Sequence, residues 1–174
     1  VWAWGMYDLA NQSFTLLINT LLFAVYFKDV VAGPARKGDA IWGAVAGGSL
    51  LGAALLSPVV GAAADHTGSK KRWLIALGLV CAVGTIGLGV IPTGAAWGMG
   101  AIVAVYIVAN VAFALGENFL ASFLPEIAGP EHLGRVSAIG WTMGYLGALL
   151  LLAINGIAMA VFGLTDPARW QPLF

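Results

Sequence analysis

Residues 40–72 read AIWGAVAGGSLLGAALLSPVVGAAADHTGSKKR. From Ala40 to Ala64 no side chain is charged over 25 residues, and the run ends on Asp65-His66-Thr67-Gly68-Ser69 before three cations, Lys70, Lys71 and Arg72. A helix needs about 20 apolar residues to cross the hydrocarbon core of a bilayer, so this run is long enough to span with tilt to spare. The polar residues after it have the character of a helix end at a water boundary: an acid, a glycine for a tight turn, then cations at headgroup level. A second charge-free run begins at once, from Trp73 to Ile91. Residues 40–91 therefore predict a hairpin of two membrane helices.

Outward from this hairpin, three more runs appear. Leu9 to Phe27 is closed by Lys28 and Asp29; Trp97 to Leu124 is interrupted only by Glu117 and ended by Pro125; Val136 to Leu164 precedes Thr165-Asp166-Pro167. Pro92 with Thr93-Gly94 marks the turn after the hairpin's second helix. The expected spans are 4–28, 40–64, 73–92, 97–124 and 136–164, in an all-α integral membrane protein. Residues 169–174, opening on Arg169-Trp170, read as the start of a sixth helix, and without an initiator Met the chain reads as cut at both ends.

Composition supports lipid as the solvent. Of 174 residues, 60% are AVILMFWYC and 9% are charged, with a mean hydropathy of +0.92, where a soluble domain carries about 25% charged residues. A soluble enzyme and a disordered tail are excluded on that ground. Three adjacent cations and a net charge of zero are too little for a nucleic-acid partner. Cys81 is the single cysteine, both histidines (His66 and His132) fall in loops, and no HExxH, GxSxG or Cys/His cluster occurs. No metal, cofactor or enzymatic activity is expected.

Ionisable groups inside a span cost roughly 2.5–3.5 kcal/mol on insertion scales, so each needs a reason. Asp8 and Glu117 are such groups. Asp8, Gln12, Thr15 and Asn19 fall on one stripe of the first helix with Asn11 beside it, and Asn110, Glu117 and Asn118 on the fourth follow Tyr106. Each acid lies about six residues, roughly 9 Å, from the same membrane face. Two carboxyls at one depth in low dielectric disfavour double ionisation, which makes one a candidate proton carrier. The stripes read either as a solute pathway or as an interhelical polar clasp. Trp141 and Tyr145 follow Ser137 at helical spacing on the fifth span, as cavity walls, interfacial anchors or plain packing. Glycine pairs at four-residue spacing, Gly43/Gly47, Gly48/Gly52 and Gly140/Gly144, predict close helix packing in the second and fifth spans. The third span, with Cys81 and Thr85 its only polar side chains, is expected to face lipid.

Three segments carry a family resemblance. Gly61, Asp65, Gly68, Lys70, Lys71 and Arg72 resemble the loop between helices two and three of the major facilitator superfamily, with His66 and Ser69 departing from its pattern. Trp4, Tyr7, Asp8, Ala10, Asn11, Ser13 and Phe14 resemble a first-helix signature, and Gly134-Arg135-Val136-Ser137 with Gly140, Gly144, Tyr145 and Gly147 one that enters helix five. Together they are similar to the vacuole effluxer-like branch, related to autophagy amino-acid effluxers.

The resemblance implies the N-terminal six-helix bundle of a twelve-helix transporter, truncated after helix five, whose partners are a small solute, the bilayer and a missing C-terminal half. It implies alternating access, with amino-acid efflux and proton coupling as candidate activities. Helices one and four line the cavity, two and five meet the other half, and three and six lie outside. The Gly61–Arg72 loop acts as the conformational element. Cation counting gives four on each side, Lys70, Lys71, Arg72 and Arg135 against Lys28, Arg36, Lys37 and Arg169, so the positive-inside rule ties. The resemblance places the N-terminus in the cytoplasm, and richness in Ala and Gly points to a bacterial cytoplasmic membrane. A non-transporting scaffold and a membrane-embedded lipid-modifying enzyme are the alternatives.

Overall fold

A computed structural model describes residues 1–33 and 37–174; Arg36, counted in the topology above, lies outside the described residues. Five helices are long and apolar enough to cross a membrane: α1 (Trp2–Ala32), α2 (Gly38–Thr67), α3 (Lys70–Val90), α4 (Gly98–Ile127) and α5 (Leu133–Phe162). No strand occurs among the described residues. All five of these helices extend past their charge-free runs to take in flanking charged residues, Lys70 on α3 and Asp39 on α2 among them. Charge limits which residues sit in hydrocarbon, whereas the backbone ladder continues into the headgroup region.

Two turns show why glycine stands where it does. Gly68 ends α2 at φ 58°, where its N–H bonds Asp65 O at 3.2 Å and Ser69 N bonds Ala64 O at 3.1 Å. This left-handed cap closes the orphan carbonyls and releases the chain directly into α3. Gly163 ends α5 in the same conformation, at φ 61°.

α1 is not a uniform helix. Trp2–Phe14 is α-helical, Thr15–Thr20 is π-helical, and Leu21 leaves helical geometry at φ −111°, ψ −85° before the helix resumes at Leu22. The Leu21 N–H bonds Leu16 O at 3.0 Å and the Thr20 hydroxyl donates to Thr15 O at 2.9 Å, both closures spanning five residues. The stripe expected from a constant 100° per residue is thereby re-aimed beyond Thr15.

Three helix contacts hold the bundle: α1 on α5, α3 on α4, and α2 on α4. On α5, a Cβ added at Gly140 would run into the Trp4 ring, at Gly144 it would meet Gln12 Cγ at 2.7 Å, and at Gly147 it would run into the Leu9 carbonyl. These glycines let α1 lie against α5, as their spacing predicts. For α2 the expected crowding is corrected: nothing lies within 4 Å of a Cβ at Gly43, Gly47 or Gly48. Those glycines occupy the outward face, where Leu50, Leu51, Leu55 and Val59 are also exposed. α3 exposes Ile75, Leu79, Val83, Ile86 and Val90, the lipid-facing surface expected of it. Its other face is less bland than its sequence suggests, since a Cβ at Gly84 would stand 2.8 Å from Ala109 Cβ on α4.

At the far end of α1, an aromatic cluster stitches three helices together. Phe23 lies 6.1 Å from Tyr106, Trp42 lies 4.7 Å from Tyr106, and Phe27 lies 5.3 Å from Trp42, centroid to centroid. Residues 169–174, read as the start of a sixth helix, take part in two 3₁₀ turns, Pro167–Arg169 and Gln171–Leu173. Phe174 sits edge-on to Phe23 at 5.2 Å.

Candidate functional site

α1 and α4 pack through an apolar core that includes the stacked Phe14 and Phe113 rings, and one polar seam between them holds the two intramembrane acids. Asn11 Nδ2 on α1 donates to Glu117 Oε1 on α4 at 2.5 Å, and Gln12 Nε2 donates to Glu117 Oε2 at 3.0 Å. Asp8 lies one helical turn before Gln12 on the same face of α1. Asp8 is 6% exposed. Trp4 closes one end of the seam by donating its indole N–H to Leu120 O at 2.8 Å.

This seam opens on a cavity of about 590 Å³ between α1, α4 and α5. Asp8, Gln12, Glu117, Trp141 and Tyr145, all singled out from sequence, line it, and Trp4, Thr15 and Ser137 join them. The volume falls in the range of roughly 300–1,000 Å³ typical of small-molecule sites. Trp4 is a cavity wall that sequence reasoning took only as a motif residue; its place one turn before Asp8 was the available signal.

The other two candidates lie elsewhere. Asn118, one position past Glu117 and hence about 100° round the helix, donates to Ser57 on α2 at 3.0 Å, away from the cavity. Asn110, 1% exposed, sits at the centre of a separate buried network. Its Nδ2 donates to Ser49 Oγ at 2.6 Å and its Oδ1 accepts from Asn19 Nδ2 at 2.9 Å, while Tyr106 donates to Asn19 Oδ1 at 3.0 Å. The π-helical stretch of α1 turns Asn19 into this network. A lone serine in an apolar run gave no hint of Ser49.

The loop motif forms a third cluster. Lys70 Nζ lies 3.1 Å from Glu126 Oε1 at the end of α4 and 3.7 Å from Asp65 Oδ1 at the end of α2. One lysine thus ties three helix ends at the membrane surface. Lys71 and Arg72 are exposed, and Gly61 lines a small cleft with Asp65, Lys70 and Asn118.

A family model described as vacuole effluxer Atg22-like matches residues 30–171. The chain belongs to that family. It is also 26% identical over 156 residues to an uncharacterized MFS-type transporter, YxiO, of Bacillus subtilis (strain 168), covering 88% of this chain and 36% of that relative. The chain therefore spans about a third of the length of the relative it matches. No solved structure matches it.

For this Atg22-like chain, the Asn110 network links α1, α2 and α4 through Asn19, Ser49 and Tyr106. Asn110→Leu leaves the Asn19 amide without its acceptor in a buried site, at a cost of about 1–3 kcal/mol. Ser57→Ala, which removes an exposed bond to Asn118, costs about 0.6 kcal/mol, the average for a hydrogen bond between membrane helices. Unfolding in mixed detergent micelles is expected to rank the two variants in that order.

Proposed function

We propose that this chain is the first half of a secondary active transporter of the major facilitator type, carrying a small solute by alternating access through the cavity between α1, α4 and α5. The observation that carries the reading is the convergence of Asp8, Gln12 and Glu117 on one cavity of about 590 Å³. Intramembrane acids facing a cavity are characteristic of solute and proton pathways. Asp8 and Glu117 take the proton-coupling or solute-binding role, Asn11 and Gln12 hold Glu117, and Trp141 and Tyr145 form the opposite wall. Efflux is the candidate activity that the family description suggests, and amino acids are the solute class that the resemblance implies.

Alternating access needs two bodies that rock about a shared site. α2 and α5 carry broad exposed apolar faces, with Leu55 at 70% and Val161 at 71% exposure, suited to the second half. The Lys70, Asp65 and Glu126 cluster would hold the three helix ends together as one body during that movement. In this reading the N-terminus and the Gly61–Arg72 loop face the cytoplasm.

The test is uptake and efflux by the full-length transporter in sealed vesicles, against an amino-acid panel and an organic-cation panel, with and without a pH gradient. Gradient-dependent flux of at least one solute is expected. A protein that folds into the vesicles and moves none of them under either condition is a scaffold.

A further inference from the structure

We propose that the α1–α4–α5 cavity recognises the ammonium end of an organic cation, held between the Asp8/Glu117 carboxyl pair and the aromatic wall of Trp141 and Tyr145. The inference rests on the proposed transport reading and names the substrate class of that site.

Its basis is the sign and kind of groups that surround the cavity. Two acids line it, and no Lys, Arg or His is among the lining residues. Asp8, although 6% exposed, lines it too, one helical turn from the Gln12 amide that donates to Glu117. Its remaining acceptor capacity is available to a ligand. Across the cavity, Trp141 and Tyr145 stand 5.9 Å apart with their rings tilted by 44°. They are 64% and 62% exposed, so neither ring is consumed in packing. Carboxylates beside open aromatic faces are the combination that attracts an ammonium, by charge and by the ring quadrupole together.

An anionic group fares badly at the same wall. The backbone N–H groups are engaged in their helices, the Trp4 indole is committed to Leu120 O, and the Gln12 amide donates to Glu117. A carboxylate would find hydroxyl donors at Thr15, Ser137 and Tyr145 and a like-charged neighbour in the Asp8/Glu117 pair. The cavity therefore discriminates by charge sign first, and by the apolar bulk of the substituents on nitrogen second.

The probe is tetraethylammonium, with its neutral carbon isostere and the glutamate anion as comparisons, measured by equilibrium binding to the purified full-length transporter. Saturable binding of tetraethylammonium is expected, with neither comparison binding. Trp141→Leu and Tyr145→Leu should each weaken it by about two- to thirty-fold, and Trp141→Phe should restore most of the loss at position 141. Both positions are exposed, so folding is not at stake. Equal binding of glutamate, or undiminished binding in both leucine variants, overturns the proposal. Flux separates this result from the transport reading. Binding without flux of any solute leaves the cation site standing and defeats transport, whereas pH-driven flux of neutral or anionic solutes without tetraethylammonium binding does the reverse.

Discussion

Gly147→Leu is expected to abolish accumulation of the folded chain in the membrane. A Cβ at position 147 would run into the Leu9 carbonyl and stand 2.7 Å from Leu9 Cγ. The carbonyl is backbone within the α-helical part of α1 and cannot swing aside as a side chain would. Accommodating even one methyl means moving α1 off α5, and a leucine forces the two helices apart. Gly147→Ala is therefore expected to destabilise by about 1–3 kcal/mol from overpacking, despite the gain of up to about 1 kcal/mol in helix propensity. Gly100→Ala on α4 supplies the opposite sign, because nothing lies within 4 Å of its Cβ, and it should be neutral or stabilising. Abundance in membrane fractions and unfolding of the detergent-purified protein measure both.

The same contact shows what the sequence could and could not convey. Trp4, Asp8 and Gly140, Gly144, Gly147 were readable as two separate signature segments, and charge-free runs placed the helices that carry them. That the two segments face each other, with the glycines cut to fit Trp4, Leu9 and Gln12, was not legible, because the segments lie more than a hundred residues apart. Tyr7 gives a further case. Its hydroxyl lies 2.9 Å from where a Cβ at Gly78 would stand and 3.6 Å from one at Gly116, and it donates to Leu74 O at 3.3 Å. A glycine on the bland third helix is thus a notch for a first-helix tyrosine.

Errors in reading came from geometry rather than from residue type. Glu117 and Asn118 follow Asn110 at i+7 and i+8, the spacing of one helix face, yet the single step between them points Asn118 at Ser57 on α2. Asn19 was placed on the cavity stripe by a constant period, and the π-helical turn after Phe14 aims it instead at Asn110. The glycines of α2 matched the packing spacing, but spacing alone does not say which face a partner occupies.

The carboxylates give the second large effect: in the full-length transporter, Asp8→Asn and Glu117→Gln are expected to keep folding and abundance while at least one of them abolishes pH-gradient-driven flux. The amide replacements preserve shape and hydrogen bonding. A glutamine at 117 still offers one oxygen to Asn11 or Gln12, and the other amide can rotate to present its own oxygen to the new NH₂ group. An asparagine at position 8 keeps the size of the aspartate and an acceptor oxygen. What disappears is the capacity to gain and lose a proton. A ligand shifts two conformations only through its different affinity for them, so a site that can no longer bind a proton cannot convert a pH gradient into a bias between inward-facing and outward-facing states. Flux driven by a solute gradient alone should survive in whichever variant loses coupling, which separates a lost proton site from a collapsed cavity. Unchanged pH dependence in both variants would make the acids structural. Loss of folded protein in both would identify the Asn11, Gln12 and Glu117 contacts as a clasp that needs the full negative charge, as expected where two amide donors converge on one carboxylate in a medium of low dielectric.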